Sequence, residues 1–294
     1  MTPSRLLLTF SFFVFLPLFF CSAQEREVTI TVDSLTKDVY MLTGEGGNIG
    51  VYVGPTKVYM IDDQFARLSP NIKKTIASLS DKPLTYLFNT HMHGDHTGGN
   101  AEFNSDSLTI IAQDNVRKSL EKTISQKPEL SRNMLPELSF LEELKLYEEA
   151  ETIMAFHVHN AHTNGDAMIY FMENNVLHMG DTYFSGRYPY IDLDNGGSIN
   201  GFIAAQKKAL LLIDDTTIII PGHGRPSNKN ELEQYIAMLE DIKVKMLAAL
   251  QAGKTLVEVE KDTHLSKAYD AEVGGGFMSP ERFRNIFYTS LKKE

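Results

Sequence analysis

Short runs of alternating apolar and polar positions follow one another early in the chain: EVTITV (27–32), DVYMLTG (38–44), NIGVYVG (48–54) and KVYMIDD (57–63). Period-two alternation in segments rich in β-branched and aromatic residues, separated by Gly, Pro and polar turns, predicts the strands of a meander. The period then changes. In SPNIKKTIASL (69–79), Ile72, Ile76 and Leu79 share a helical face, with Ser69 as cap and Pro70 at the first position. PLTYLFNTH follows as a strand, and DNVRKSLEKTI supplies a second helical face through Val116, Leu120 and Ile124. ETIMAFHVHNAHTNG, DAMIYFME, NVLHMGD and DTTIIIPGHG read as four further strands. Beyond Pro226 the pattern is helical: Asn228 and Glu231 are placed for a capping box, Leu239, Ile242, Met246 and Leu250 keep one face apolar, and SPERFRNIFYTSL forms a closing helix. Strands interleaved with helices define an α/β protein, and no repeat or linker divides it. The stretch 126–141, with Pro128 and Pro136, is the least regular and reads equally as a loop over a site or as a plain connector.

The first 23 residues stand outside this pattern. One cation, Arg5, precedes an apolar run from Leu6 to Phe20, and small residues lead to Ala23. That is the layout of a secretory signal peptide cleaved before Gln24, which leaves residues 24–294 as one domain, exported to the periplasm or beyond. The run is short for a bilayer span and Pro17 interrupts it, so no stable membrane association is expected after cleavage. Cys21 keeps a lipoprotein signal open as an alternative, although Phe20 suits such a site poorly. It is also the single cysteine, so no disulfide and no thiolate ligand is expected in the mature protein. A formal net charge of −10 argues against general nucleic-acid binding, which needs Lys and Arg on phosphates. The expected partner is a small-molecule substrate; the oligomeric state is left open.

Histidine is where the chemistry concentrates. NTHMHGDHTGGN (89–100) holds three of the chain's nine histidines. Neighbouring buried imidazoles need their nitrogens satisfied and repel once protonated, and a divalent metal removes both objections. Four places end a strand with metal-type ligands: THMHGDH (90–96), NAHTNGD (160–166), HMGDTYF (178–184) and PGHG (221–224). They offer His91, His93, His96, His162 and His223, with Asp95 and Asp181. Seven ligands exceed what one tetrahedral zinc takes and suit two zinc ions per chain, with one carboxylate bridging. His91 and His93, two apart, point the same way from an extended segment, and Gly94 permits the turn that aims Asp95 and His96 at a neighbouring ion.

The HMHGDH loop, followed in order by AHTNGD, GD and PGHG, resembles the metallo-β-lactamase superfamily over nearly the whole mature chain. The resemblance implies a four-layer αββα sandwich with the metals at one edge of the sheets. His91, His93 and His162 would hold the first zinc, Asp95, His96 and His223 the second, and Asp181 would bridge. Asp62, in IDD (61–63), takes the place of the family's early Asp, behind the ligands and orienting one of them; Asp63 is the weaker choice. Asp166 is expected to hold the His162 loop by hydrogen bonds. His157 and His159 are expected in structural or rim roles, His178 packed beside the site and His264 in solvent.

The chemistry expected is hydrolysis. A hydroxide held between two zinc ions attacks a carbonyl, and Asp95 orients it and handles its proton. The family's redox branch has a Glu within the first motif where this chain has His93. A cyclic amide or ester, of β-lactam or lactone type, is the preferred substrate. A glyoxalase-type thioesterase is the alternative, although the Cys-Gly-Arg stretch of that pattern is missing. The lysine with which cysteine-bearing β-lactamases hold their substrate is replaced by Phe184, and the lactonase tyrosine falls one position early, at Tyr183. Arg187 with Tyr183 is the candidate substrate grip, unless Arg187 is paired to Asp192 or Asp194 on the surface. GEGGNIG (44–50) is either a hairpin beside the metals or a simple glycine-rich turn. A non-catalytic zinc-binding or partner-binding module is the alternative of another class; structural zinc sites, however, are closed by four protein ligands.

Overall fold

The computed structural model describes residues 28–293. The readings on the first 23 residues, the export signal and Cys21 among them, lie outside the described residues.

Two sheets face each other. The first runs in chain order: β1 (Thr31–Ser34), β2 (Val39–Thr43), β3 (Ile49–Val53), β4 (Val58–Ile61), β5 (Leu84–Asn89), β6 (Thr109–Gln113) and β7 (Leu138–Phe140). Strands β1–β4 are the expected antiparallel meander, and β4–β7 pair in parallel. Parallel neighbours need crossovers. Helix α1 (Ser69–Leu79) supplies the first, the short helices α2 (Gly94–Thr97) and α3 (Asn100–Phe103) lie in the second, and α4 (Asp114–Gln126) is in the third. The second sheet has the order β13 (Ser227–Asn228), β12 (Ile218–His223), β11 (Val176–Phe184), β10 (Ala167–Phe171), β9 (Thr152–His157) and β8 (Glu143–Tyr147). Its one parallel pair, β11 with β12, is joined through α5 (Ile199–Leu210). The chain then continues in α6 (Lys229–Gln251), α7 (Leu256–Lys261), α8 (Lys267–Val273) and α9 (Pro280–Lys293).

Alternation along the strands makes the four layers. Val39 and Met41 of β2, with Ala167, Ile169 and Phe171 of β10, fill the space between the sheets. Leu42, the next residue of β2, turns outward onto Ile72 and Ile76 of α1. Met168 and Tyr170 turn outward to a larger cluster with Phe202 of α5, Leu239 and Ile242 of α6, and Phe283 and Phe287 of α9. The result is the αββα sandwich that the resemblance implied.

Several local expectations need correction. β1 starts at Thr31, later than the alternation suggests, because Val28 and Ile30 pack with α1 in the outer cluster, and Val28 O accepts from Asn71 Nδ2. Ser69 does not cap α1: a 3-10 turn over Ala66–Leu68 runs straight into the helix, so Ser69 is its first helical residue. Asn228 caps α6, its side chain accepting from Glu231 N at 3.0 Å, but Glu231 does not reciprocate, because its carboxylate binds Arg225 and Ser227. α5, β7 and β8 escape the periodicity reading. The 126–141 stretch is a connector, with Met134 and Leu135 packed on α4, and none of its residues lines the cavity at the site.

The layer assignment has a direct test. Phe171, fully buried between the sheets, should cost about 3–5 kcal/mol when truncated to Ala. Leu211, 85% exposed, should cost about 0.5 kcal/mol or less on the same change. Equal losses in urea unfolding would contradict the assignment.

Candidate metal centre

The site lies where the two sheets present strand ends together. His91, His93, Asp95 and His96 follow β5, His162 is in the β9–β10 connection, and Asp181 and His223 sit within the last turns of β11 and β12. All seven expected residues converge. One group is His91, His93, His162 and Asp181, and the other is Asp95, His96 and His223, each with donor atoms within 4.8 Å of one another.

In the first group three ring nitrogens meet: His93 Nδ1 lies 3.1 Å from His91 Nε2 and 2.9 Å from His162 Nε2. The opposite nitrogen of each ring is already committed as a donor. His162 Nδ1 donates to Tyr190 O at 2.8 Å, and His93 Nε2 donates to Asp192 Oδ2 at 2.9 Å. Thr90 Oγ1 donates to Asp62 Oδ2 at 2.7 Å and therefore accepts from His91 Nδ1 at 3.1 Å. Three lone pairs are thus aimed at one point, an arrangement that repels itself unless a cation occupies it.

The second group is built on the same principle. Asp62 Oδ2 accepts from His96 Nδ1 at 2.7 Å, which turns His96 Nε2 inward, 3.1 Å from Asp181 Oδ1. Neither of these two buried atoms has a hydrogen-bond partner, a cost that a cation beside them would remove. His223 Nε2 lies 3.3 Å from Asp95 Oδ2 and 3.4 Å from Asp181 Oδ1. Asp181 Oδ2 faces the other group, 3.5 Å from His162 Nε2 and 3.9 Å from His91 Nε2. One carboxylate thus addresses both donor sets, and the residues fit divalent ions in the manner the sequence suggested.

Supporting contacts explain the surrounding motif letters. Asp62 is fully buried with φ +60 and also takes Thr90 N at 2.8 Å, so one carboxylate fixes both the His91 and the His96 side of the loop. Gly47 is a glycine because a Cβ there would lie 2.1 Å from His96 Cε1. Gly222 is one because a Cβ would lie 2.0 Å from Asp181 Oδ1. The 44–50 segment is therefore a hairpin against the site, tied to the PGHG loop by Asn48 Nδ2, which donates to Pro221 O and Gly224 O at 2.9 Å each. Asp166 holds the His162 loop as expected, accepting from Thr163 N at 2.8 Å and Thr163 Oγ1 at 2.6 Å. His178 is buried beside the site with Nε2 on Asn48 O, His157 binds Asp166 O, and His159 and His264 are exposed.

Two expectations about the substrate grip are revised. Tyr183 is not in the cavity: its hydroxyl bonds Ser227 Oγ at 2.8 Å, and its ring meets Tyr235 in the outer helical cluster. A register irregularity between Gly180 and Phe184 breaks the strand's alternation, so Phe184 faces the cavity instead. Asp192 is not a surface partner for Arg187, because it is occupied by His93 and by Asn195 Nδ2. Its role behind His93 escaped the sequence reading, as did those of Thr90 and the Tyr190 carbonyl. Nothing in the DLDN stretch sets Asp192 apart from an acidic residue of a solvated loop.

Electrostatics divide the two groups. Burial, reinforced by the charge of His96, holds His91 well below the ordinary imidazole range, and burial takes His162 down to about 4. Burial acts most strongly, against protonation of His96 and His223, but the neighbouring carboxylates, Asp181 first among them, together outweigh it in both. Asp62 adds to Asp181 at His96, which rises well above its ordinary value, and Asp95 does so at His223, which rises to about 9. His91 and His162 are ready to ligate at neutral pH, whereas His96 and His223 bind a proton or a metal in competition.

The wider comparisons concern family and fold. The sequence model of the metallo-beta-lactamase superfamily matches residues 42–223, and the chain belongs to that superfamily. Its fold is similar to that of DIM-1 metallo-beta-lactamase (TM-score 0.61, 17% identity, 73% of this chain and 99% of that one) and of a metallo-beta-lactamase from Pontibacter korlensis (0.62, 12%, 72% and 100%). It is also similar to the stereoselective inverting sec-alkylsulfatase Pisa1 from Pseudomonas sp. (0.69, 13%, 88% and 50%). In sequence the chain is 25% identical, over 188 residues, to the 2,4-dinitroanisole O-demethylase subunit alpha of Nocardioides sp. (strain JS1661). The match takes in 62% of this chain and 54% of that relative, so the chain spans about half of its length.

Metal uptake should release protons at pH 7 from His223, whose value is about 9 when no metal is bound, and the upward shift of His96 acts in the same direction. The His223 share of the release should fall toward zero as pH rises past about 9, and affinity at the second group should weaken as pH falls. Calorimetric zinc titrations in buffers of different ionisation enthalpy measure this. A heat independent of buffer at pH 7 would contradict it.

Proposed function

We propose that the chain is an exported hydrolase that binds two zinc ions, one on His91, His93 and His162, the other on Asp95, His96 and His223, with Asp181 shared. The observation that carries this reading is the placing of the two Asp181 oxygens toward separate donor sets, Oδ2 to one and Oδ1 to the other. A closed structural site does not need a carboxylate divided in this way. An imidazole-rich set with two carboxylates favours zinc. Zinc held by these residues would lower the pKa of water to about 7 and so supply a nucleophile at neutral pH.

The chain's own residues do the rest. Asp95 is the ligand carboxylate most open to the cavity, its side chain 29% exposed against 6% for Asp181. Burial opposes its ionisation most strongly, but the hydrogen bond to His223 together with the charges of His96 and His223 lowers it to about 2. Kept ionised beside the nucleophile, it orients the attacking O–H and passes the proton on to the leaving group. Phe184, stacked on His223 at 7° with centroids 5.5 Å apart, limits water on that side. A carbonyl substrate of cyclic amide or ester type suits this arrangement. A glyoxalase-type thioester is the alternative. Because two similar proteins bear the names O-demethylase and alkylsulfatase, an aryl methyl ether and a secondary alkyl sulfate belong in the same panel.

Purified protein should carry about two zinc equivalents under replete conditions and turn over a member of that panel, with activity lost to chelator. Asp95→Asn should lower kcat by about two to four orders of magnitude and resist rescue by excess zinc. Asp181→Asn should lose zinc and regain activity in part when zinc is added, since it leaves the repulsion between two cations less compensated. Equal rescue of the two variants would overturn the division of roles. Export is tested separately, by N-terminal sequencing of the native protein: a start at Gln24 supports it, and an intact Met1 refutes it.

A further inference from the structure

A cavity of about 560 Å³ opens onto Asp95, Asp181 and His223. Its walls away from the metal ligands are mostly apolar and aromatic: Phe65, Phe184, Tyr188, Tyr190, Phe277 and Met278. Two of these, Phe277 and Met278, come from the C-terminal part of the chain, well past residue 223 where the superfamily match ends. That part is fastened to the site. Tyr188 N donates to Val273 O at 2.9 Å, and Met278 is buried. Phe277 itself is 72% exposed, with an edge contact to Tyr190, the Arg282 guanidinium 4.7 Å over its ring and Arg282 Nη1 donating to its carbonyl at 3.2 Å. A large aromatic kept at a cavity mouth without being buried leaves its apolar surface for a ligand to cover.

Arg187 is the single Lys or Arg in the lining. It is exposed, its stem lies along Gly276, and among the described residues it makes no ion pair. Of the carboxylates around the cavity, Asp192 is committed to His93 and Asn195, Glu45 to Arg67, and Asp95 and Asp181 to the histidines of the metal-type donor sets. In a chain of net charge −10, whose overall field disfavours anions, an uncompensated guanidinium at the mouth of an apolar cavity is a local selector for negative charge.

We propose that the cavity selects substrates that pair an anionic group with an apolar or aromatic body, with Arg187 taking the charge and Phe277 of the C-terminal segment covering the body. This rests on the hydrolase reading for its chemistry, but the preference itself is a binding property. The rim tyrosine of the grip is then Tyr190 in place of Tyr183.

The test uses zinc-loaded protein and two near-isosteric probes, 4-phenylbutyrate and its neutral amide, with acetate as an anion lacking the body. Wild type should bind phenylbutyrate more tightly than the amide by about tenfold, the worth of a charge-assisted hydrogen bond, and acetate much more weakly. Arg187→Ala should abolish the preference for the acid over the amide, and Arg187→Lys should keep part of it. Phe277→Ala should weaken both phenyl probes alike and leave acetate unchanged. Both residues are exposed, so the variants are expected to fold, and circular dichroism checks that they do. A preference that survives Arg187→Ala would mean that the metals take the carboxylate and would overturn the proposal, as would failure of wild type to discriminate or indifference to Phe277→Ala. Probe binding as described without turnover of any substrate would remove the hydrolase reading alone. Turnover without the binding preference would remove this inference alone.

Discussion

The Asp181 carboxylate has to face two sets of imidazoles at once, and much of the local structure follows from that constraint. Its oxygens lie 3.1 Å from His96 Nε2 and 3.5 Å from His162 Nε2 on opposite sides, in a space from which water is largely excluded. β11 must end beside the turn of β12, and that turn must come so close that only a glycine fits at position 222. The cost of burying so many polar atoms is offset only if each outer nitrogen has a partner and each inner one a cation. Asp62, Asp192, Thr90 and the Tyr190 carbonyl provide those partners, so the site is held by residues that do not themselves belong to the donor sets.

The scaffold places these groups by ordinary means. Parallel pairing of β4, β5 and β6 puts the IDD and HMHGDH segments at the same end of one sheet, and parallel pairing of β11 and β12 does the same for Asp181 and His223 in the other. Packing of Ile169 and Phe171 against Tyr52 and Ile61 between the sheets fixes how those two ends meet. Ligands spread over more than 130 residues of sequence thus converge at one edge without any long structured loop.

The donor set was readable in advance because metal chemistry restricts residue type severely: His and Asp at strand ends have few other reasons to cluster. Asp62 was readable only through the family resemblance, and its position at φ +60 is invisible to periodicity. Asp192 was not recognised, since an acidic residue in DLDN resembles any solvated loop until the fold carries it to His93. Tyr183 was misplaced because a register irregularity, which leaves no periodic signature, turned Phe184 inward in its stead. β8 escaped notice although LEELKLY alternates, because an edge strand with polar residues on its open face is only weakly hydrophobic. The cavity wall from Phe277 and Met278 depends on a contact between distant segments, beyond the reach of local patterns.

The central claim is that Asp181 lies between two metal ions. Anomalous diffraction at the zinc edge, from crystals of the zinc-replete protein, tests it most directly. The account predicts two peaks about 3.5–4 Å apart, one against His91, His93 and His162 and one against Asp95, His96 and His223, with Asp181 in contact with both. A single fully occupied peak, or a pair in which Asp181 touches only one ion, would contradict it.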